Sequence, residues 1–223
     1  MSKSARDPTS PTQPEDNHWC VELVAQARAG DQIAFQALFE HFNARICTYL
    51  AHIVGDNEEG RDLAQDTFLK AWQSIGKIHH EIRFDTWLYR IATNTAIDHL
   101  RRRKFQRQSH TIDHTPANMS ISGPETQVAE QEHIRQALAK VSLKYRTCLL
   151  LQLVADFSQR QIAASLNISE KSVSIYVSRG CEQFRHAYQQ LSQTNEQIVK
   201  ERGKTRDKIQ PYSLYGLGAE TFG

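Results

Sequence analysis

The sequence is short of cysteine, of long apolar runs and of alternating apolar patterns, and each shortage removes a class of protein. Its four cysteines, Cys20, Cys47, Cys148 and Cys181, are scattered with no C-x-x-C pair. Neither a zinc site nor a disulfide framework is signalled, and reduced, buried thiols are expected. No apolar stretch approaches the roughly 18 residues that a transmembrane helix needs. Residues 1–17 are rich in Ser, Thr, Pro and Gln and lack the apolar core of a signal peptide, so a cytoplasmic location without membrane insertion is expected. No segment alternates apolar and polar residues for long enough to argue a strand. No glycine-rich phosphate loop, Ser/His/Asp grouping or pair of carboxylates at catalytic spacing stands out, so no catalytic residue and no cofactor is assigned. His79, His80 and Glu81 lie together, yet one short connector with no second ligand cluster reads as solvated polar residues rather than a metal site.

What remains is a chain of 223 residues, 39% hydrophobic and 23% charged, with 27 basic against 25 acidic residues and a net charge of +2. That length accommodates one average domain or two small ones. The leader carries three of the six prolines and no periodic pattern, and is expected to be disordered. Helical spacing begins at Trp19, Leu23, Val24 and Ala27 and stops at Gly30, where Asp31 is placed to cap a second helix. The second helix repeats Phe35, Leu38, Phe39, Phe42, Ile46, Tyr49, Leu50 and Ile53 on one stripe that must be buried. Gly55-Asp56-Asn57 ends it. A third helix follows with Leu63, Ala64, Thr67, Phe68, Ala71, Trp72 and Ile75 inward and Asp62, Gln65, Asp66 and Lys70 on the opposite face. After a connector over 76–84, a fourth opens near Asp85 and runs into Arg101-Arg102-Arg103-Lys104.

Residues 108–124 break the pattern with Ser, Thr, Asn, Pro116, Gly123 and Pro124, which predicts a flexible linker and a domain boundary. Helical spacing resumes with Ile134, Ala137, Leu138 and Val141, and Ser142 can cap a helix carrying Leu143, Leu149, Leu150, Leu153 and Val154. The fold class is therefore all-α, two small helical domains joined by a flexible linker. The divisions are a leader at 1–17, a first domain at 18–107, a linker at 108–127, a second domain at 128–190 and an extension at 191–223.

Two features carry function. Residues 158–173 have the anatomy of a helix-turn-helix: Ser158 with Gln161 makes a capping-box pattern, Ala163 is small where helices cross, Asn167 suits the turn and Ser169 can cap the second helix. Val173, Val177, Cys181, Phe184 and Tyr188 form its seam, leaving Ser172, Tyr176 and Arg179 on a different, outward face. The N-terminal part of such a second helix enters the major groove of DNA. The other feature is electrostatic. Residues 83–107 hold seven basic and two acidic residues, a balance of +5, whereas residues 52–66 hold five acidic and one basic, a balance of −4. A basic helix bordered by Phe84, Trp87 and Tyr89 suits a phosphate backbone with stacked or splayed bases, and spacing of seven puts Trp87, Asn94 and Arg101 on one stripe.

Residues 62–72 (DLAQDTFLKAW), 84–94 (FDTWLYRIATN) and 98–102 (DHLRR) resemble region 2 of extracytoplasmic-function sigma factors, and the helix-turn-helix resembles their region 4. The resemblance spans residues 19–191, with a linker where the family has one and no counterpart of regions 1.1 and 3 of the larger housekeeping factors. It implies an RNA polymerase subunit that directs core enzyme to promoters, in this group commonly in answer to a stress or envelope signal. It also implies that Asp62, Gln65 and Asp66 contact the clamp helices of the largest polymerase subunit. Trp87, Arg90, Asn94, Arg101, Arg102, Arg103 and Lys104, with the connector 79–84, would open the −10 element and hold a flipped base. Extruding a base costs a few kcal/mol of stacking, which such contacts can offset. Arg160, Ser169, Lys171, Ser172, Ser174, Tyr176 and Arg179 would read the −35 duplex, and an anti-sigma factor is a possible partner.

One departure matters. Where the family often has basic residues in the recognition helix, this chain has Ser174 and Tyr176, and only Arg179 stands at an equivalent basic position. Those side chains lack the bidentate grip of Arg on guanine, which implies a −35 element read partly by shape. A free-standing helix-turn-helix regulator and an enzyme acting on nucleic acid are the alternatives. The first lacks an evident dimerisation element, and the second lacks a catalytic constellation.

Overall fold

Two aspartates punctuate the N-terminal half. In the computed structural model, which describes residues 18–78, 82–109 and 125–206, helix α1 (His18–Arg28) gives way through Gly30 to α2 (Gln32–Val54). Asp31 caps α2, its carboxylate accepting from the backbone N–H groups of Ile33 and Ala34 at 2.8 and 3.3 Å. Gly55 closes α2 in the left-handed region, φ 83°, with its N–H donated to the Ala51 carbonyl. Asp56 then caps α3 (Asn57–Ser74) through the N–H groups of Glu58 and Glu59. A 3-10 turn over Ile75–Lys77 leads towards α4 (Phe84–Ser109). The C-terminal half is α5 (Glu125–Lys140), α6 (Leu143–Leu153), α7 (Gln159–Leu166) and α8 (Glu170–Arg206). No strand occurs among the described residues. The expected leader, the residues 110–124 of the linker, the tail from 207, and His79, His80 and Glu81 lie outside the described residues.

Helix α2 organises the first unit. Its stripe buries Leu38, Phe42, Ile46, Tyr49, Leu50 and Ile53 against α1, α3 and α4. Its packing on α3 is closest at Gly60, where a Cβ would come within 2.7 Å of the Ala51 backbone. Thr93 donates its hydroxyl proton to the Tyr89 carbonyl at 2.8 Å, so the buried Tyr49 hydroxyl, 2.7 Å from the Thr93 oxygen, must be the donor in that pair. The network ties α2 to α4 without an orphan of its own.

The two units are packed together by α6 against α2 and by α7 against α4. The rings of Tyr89 and Phe157 meet at 5.1 Å, Ser165 donates to the Thr86 carbonyl at 3.0 Å, and Arg135 donates to the Gly55 carbonyl. This sandwiching explains one departure from expectation. Helix α6 is covered on every side from Tyr145 to Leu151, so Leu151 is buried while Leu153, assigned inward by its spacing, is 66% exposed at the helix end. Ser142 occupies the N-cap position of α6 but makes no side-chain cap bond; its own backbone N–H donates to the Gln183 side chain at 3.0 Å. Arg146 is buried, and its Nη1 donates to the Leu138 carbonyl in the last turn of α5. The Tyr89 hydroxyl is buried with no hydrogen-bond partner among the described residues, a desolvation cost of about 1–3 kcal/mol at the contact between units.

The expectation of buried thiols holds for two of four. Cys20 and Cys148 are buried, and burial pushes their thiols up to about 11; Cys47 and Cys181 are half-buried. Gly60→Leu should force α2 and α3 apart. A loss of at least about 1–3 kcal/mol is expected in denaturant unfolding, with helical content at low denaturant retained, whereas Gly76→Leu, at a position with open space around it, should be close to neutral.

Candidate nucleic-acid interface

Helix α3 separates two chemistries by rotation alone. Leu63, Ala64, Thr67, Phe68 and Ala71 are buried, and Asp62, Gln65 and Asp66 are exposed on the other side. Neither aspartate has an ion-pair partner among the described residues. Leu69, 56% exposed, stands on the same face, seven residues from Asp62 and three from Asp66. Sequence reading passed over it, although an apolar residue on a polar face is visible in the helical spacing. Lys70 turns away from this face and donates to Thr95 of α4 at 3.0 Å.

The acidic stretch is not one surface. Asp56 is spent on its cap, and Glu59 reaches across to α4, accepting from Arg103 at 2.9 and 3.3 Å and lying 3.3 Å from His99. Both ends of the Arg103–Glu59 pair are about a third exposed, so it contributes no more than about 1 kcal/mol to stability. Its larger consequence is to neutralise one member of the basic cluster. Arg83 is likewise paired with Asp85 at 2.7 Å.

The rest of the cluster is exposed, although Arg101 also pairs with Asp98 one turn back at 3.4 Å and Arg102 donates to the Asp98 carbonyl at 3.3 Å. Phe84, Leu88, Tyr89, Ala92 and Ala96 bury the inner face of α4, while Arg90, Asn94, Arg101, Arg102 and Lys104 are exposed. Trp87 is half-buried with its ring 5.7 Å from that of Phe84. The side chain of Arg107 lies outside the described residues. Phe105, 72% exposed beside Arg101 and Arg102, was not singled out in the sequence; it lies one turn beyond Arg101 and adds an aromatic surface of the kind on which bases stack.

The helix-turn-helix forms as its residues demand. Ser158 and Gln161 complete both halves of the capping box, Asn167 sits in the left-handed region at φ 54°, and the Ser169 hydroxyl accepts from the Ser172 N–H at 3.1 Å. Arg160, Lys171 and Ser174 are exposed. Ser172 is half-buried, its hydroxyl 2.8 Å from that of Ser169, so both serines are already engaged in the cap. Tyr176 and Arg179 are drawn towards α6. The Tyr176 ring lies 5.3 Å from Tyr145, and Arg179 donates to the Tyr145 hydroxyl at 3.1 Å. That donation draws the Tyr145 phenol below the ordinary tyrosine range. Tyr145 and its neighbour Lys144 were absent from the sequence-based set, since their nearness to α8 depends on how the helices pack.

No cluster of three or more His, Cys, Asp or Glu that could hold a metal occurs among the described residues. No helix described is long and apolar enough to cross a membrane.

The fold and these surfaces define a two-unit helical DNA-binding protein with a separate acidic face. The chain matches the sigma-70 region 2 family over residues 38–106 and the sigma-70 region 4 family over residues 131–184. It is 30% identical over 182 residues to the ECF RNA polymerase sigma factor SigW of Bacillus subtilis, covering 75% of this chain and 96% of that one. To the RNA polymerase sigma-H factor of Pseudomonas aeruginosa it is 28% identical over 191 residues, 81% of this chain and 97% of the other. Among solved structures, CnrH in complex with the cytosolic domain of CnrY superimposes with a TM-score of 0.59 at 24% identity, over 75% of this chain and 96% of that one. The sigma factor RpoE of Bartonella quintana, solved with the anti-sigma factor NepR, gives 0.58 at 19%, over 70% and 96%. The chain belongs to the extracytoplasmic-function group of the sigma-70 family. It is an RNA polymerase sigma factor, a transcription-initiation subunit that works with core polymerase on promoter DNA.

Glu59→Gln is expected to release Arg103. Binding of the chain to single-stranded DNA should tighten and become more salt-dependent, with unfolding free energy changed by no more than about 1 kcal/mol. Titration at several salt concentrations checks the first and denaturant unfolding the second.

Proposed function

We propose that Asp62, Gln65 and Asp66 form the contact with the clamp helices of core polymerase, with Leu69 as its apolar centre. The observation that carries this reading is an exposed acidic face with no ion-pair partner among the described residues, backed by a buried face that fixes its direction. Charges left uncompensated on a rigid helix favour a basic partner by steering and register. On α4, Trp87, Arg90 and Asn94 open and hold the −10 element, and Arg101, Arg102 and Lys104 track its backbone. Arg103 joins them once Glu59 lets go. In the second unit Arg160, Lys171, Ser174 and Arg179 approach the −35 duplex, with Ser169, Ser172 and Tyr176 shaping the recognition helix, and part of the sequence preference comes from duplex shape.

The factor contributes no catalysis of its own, acts in the cytoplasm, and uses residues 18–107 and 128–190 as its two functional units. An anti-sigma factor is a fitting regulator, since the Bartonella relative was solved with one. A stand-alone regulator would bind its DNA tightly without core polymerase; a sigma factor needs core for tight binding. Run-off transcription with core polymerase on genomic fragments tests the function and yields the promoter in the same experiment.

Asp62→Lys with Asp66→Lys should abolish capture of core polymerase while thermal unfolding stays within a few degrees of wild type, because both side chains are exposed and make no ion pair among the described residues. Undiminished capture would remove the assignment. Asn94→Ala should lower open-complex formation, followed by permanganate reactivity of unpaired thymines, more than closed-complex binding. Equal losses in both would exclude a role in holding a flipped base.

A further inference from the structure

The recognition helix is poor in arginine, yet the packing of α8 on α6 places a second cation beside the one that remains. Gly180 allows the close approach: a Cβ there would come within 3.1 Å of the Tyr145 carbonyl. Across this seam Arg179 donates to the Tyr145 hydroxyl at 3.1 Å, and Lys144 holds its ammonium 4.8 Å from the Tyr145 ring centre and 5.4 Å from that of Tyr176. Both cations are exposed, and neither makes an ion pair among the described residues. Glu182 is near enough for Arg179 to feel its charge but does not bridge to it. Two like charges fixed on one aromatic platform repel each other until an anion enters between them.

We propose that Lys144 and Arg179, held side by side by Tyr145 and Tyr176, bracket one backbone phosphate of the DNA duplex next to the bases that the recognition helix reads. The inference rests on the reading that this helix-turn-helix engages the −35 duplex. Lys144 and Arg179 are the binding groups, and Tyr145 is a positioning residue that orients the guanidinium. A phosphodiester suits the pair better than a carboxylate does. It offers two unesterified oxygens to two separate donors, and the outward face of the recognition helix continues directly into the seam. Affinity that Ser174 and Tyr176 do not supply through bases is supplied from α6 through the backbone.

The test uses holoenzyme assembled from core polymerase and the full chain, on a duplex promoter obtained by run-off transcription. Lys144→Gln should weaken binding several-fold and to the same extent on −35 point variants. The slope of log K against log salt should become shallower by about 0.9, the value for one phosphate contact. Lys144→Arg should restore both. Tyr145→Phe keeps the ring but frees Arg179, and should weaken binding with the slope unchanged. With wild-type protein, a scan of neutral methylphosphonates should find one position that costs affinity, and that same substitution should cost the Lys144→Gln holoenzyme less, because Arg179 alone then meets that phosphate. A wild-type slope in Lys144→Gln, or a loss confined to particular −35 sequences, overturns the bracket. If Lys171→Gln and Ser174→Ala weaken binding while Lys144→Gln does not, the bracket alone falls. If none of the three matters, the helix is not on DNA, and the bracket falls with the reading beneath it.

Discussion

The close contact between α2 and α3 is the constraint on which the rest depends. Gly60 lets α3 lie against the Ala51 backbone, and that approach fixes the rotation of α3 about its own axis. Rotation decides everything else about α3: Leu63, Ala64, Thr67 and Phe68 go inward, so Asp62, Gln65 and Asp66 must go outward. The same α2 stripe holds α4 through Tyr49 and Thr93 and continues to α6 of the second unit. One amphipathic helix thus orients both the acidic face and the basic one.

A net charge of +2 conceals this arrangement, because acidic and basic surfaces cancel in the sum. The structure refines the picture by showing where they touch. Glu59 on α3 and Arg103 on α4 neutralise each other at the border and Asp98 pairs with Arg101, leaving Asp62 and Asp66 on one side and Arg102 and Lys104 on the other without an ion pair among the described residues. Exposed pairs of this kind stabilise little, so the pairing matters more for the field each surface presents than for holding the fold. The cation pair at the recognition helix follows a different rule. There Lys144 lies over the Tyr145 and Tyr176 rings and Arg179 on the Tyr145 hydroxyl, with no carboxylate bridge to either among the described residues, and their charge stays available.

Local chemistry made much of the fold legible. Asp31, Asp56 and the Ser158–Gln161 box each satisfy backbone N–H groups a few residues away, and Asn167 adopts the left-handed turn its residue type favours. Such interactions close within a single turn, and a reader of the sequence needs no knowledge of the rest of the chain to find them. Ser142 departs from that standard: its hydroxyl makes no cap bond, and its backbone N–H is bound by Gln183 from far along the chain. Leu153 and Leu151 exchange roles for a similar reason: spacing identifies one apolar stripe on α6, but α6 lies between α2 and α8 and is buried on several sides.

The sequence by itself determined the helical order, the Asp31 and Ser158 caps, the helix-turn-helix and the residues of the two charged segments, because these depend on periodicity and on contacts within a turn or two. Tertiary structure alone decided which charges stay available. It drew Arg103 onto Glu59, left Asp62 and Asp66 without an ion pair among the described residues, exposed Leu69 and Phe105, and brought Lys144 and Tyr145 to Arg179 across the α6–α8 seam. Those outcomes turn on the distances between helices, and interhelical distances are set by packing at positions such as Gly60 and Gly180, whose meaning appears only when the opposing backbone is in place.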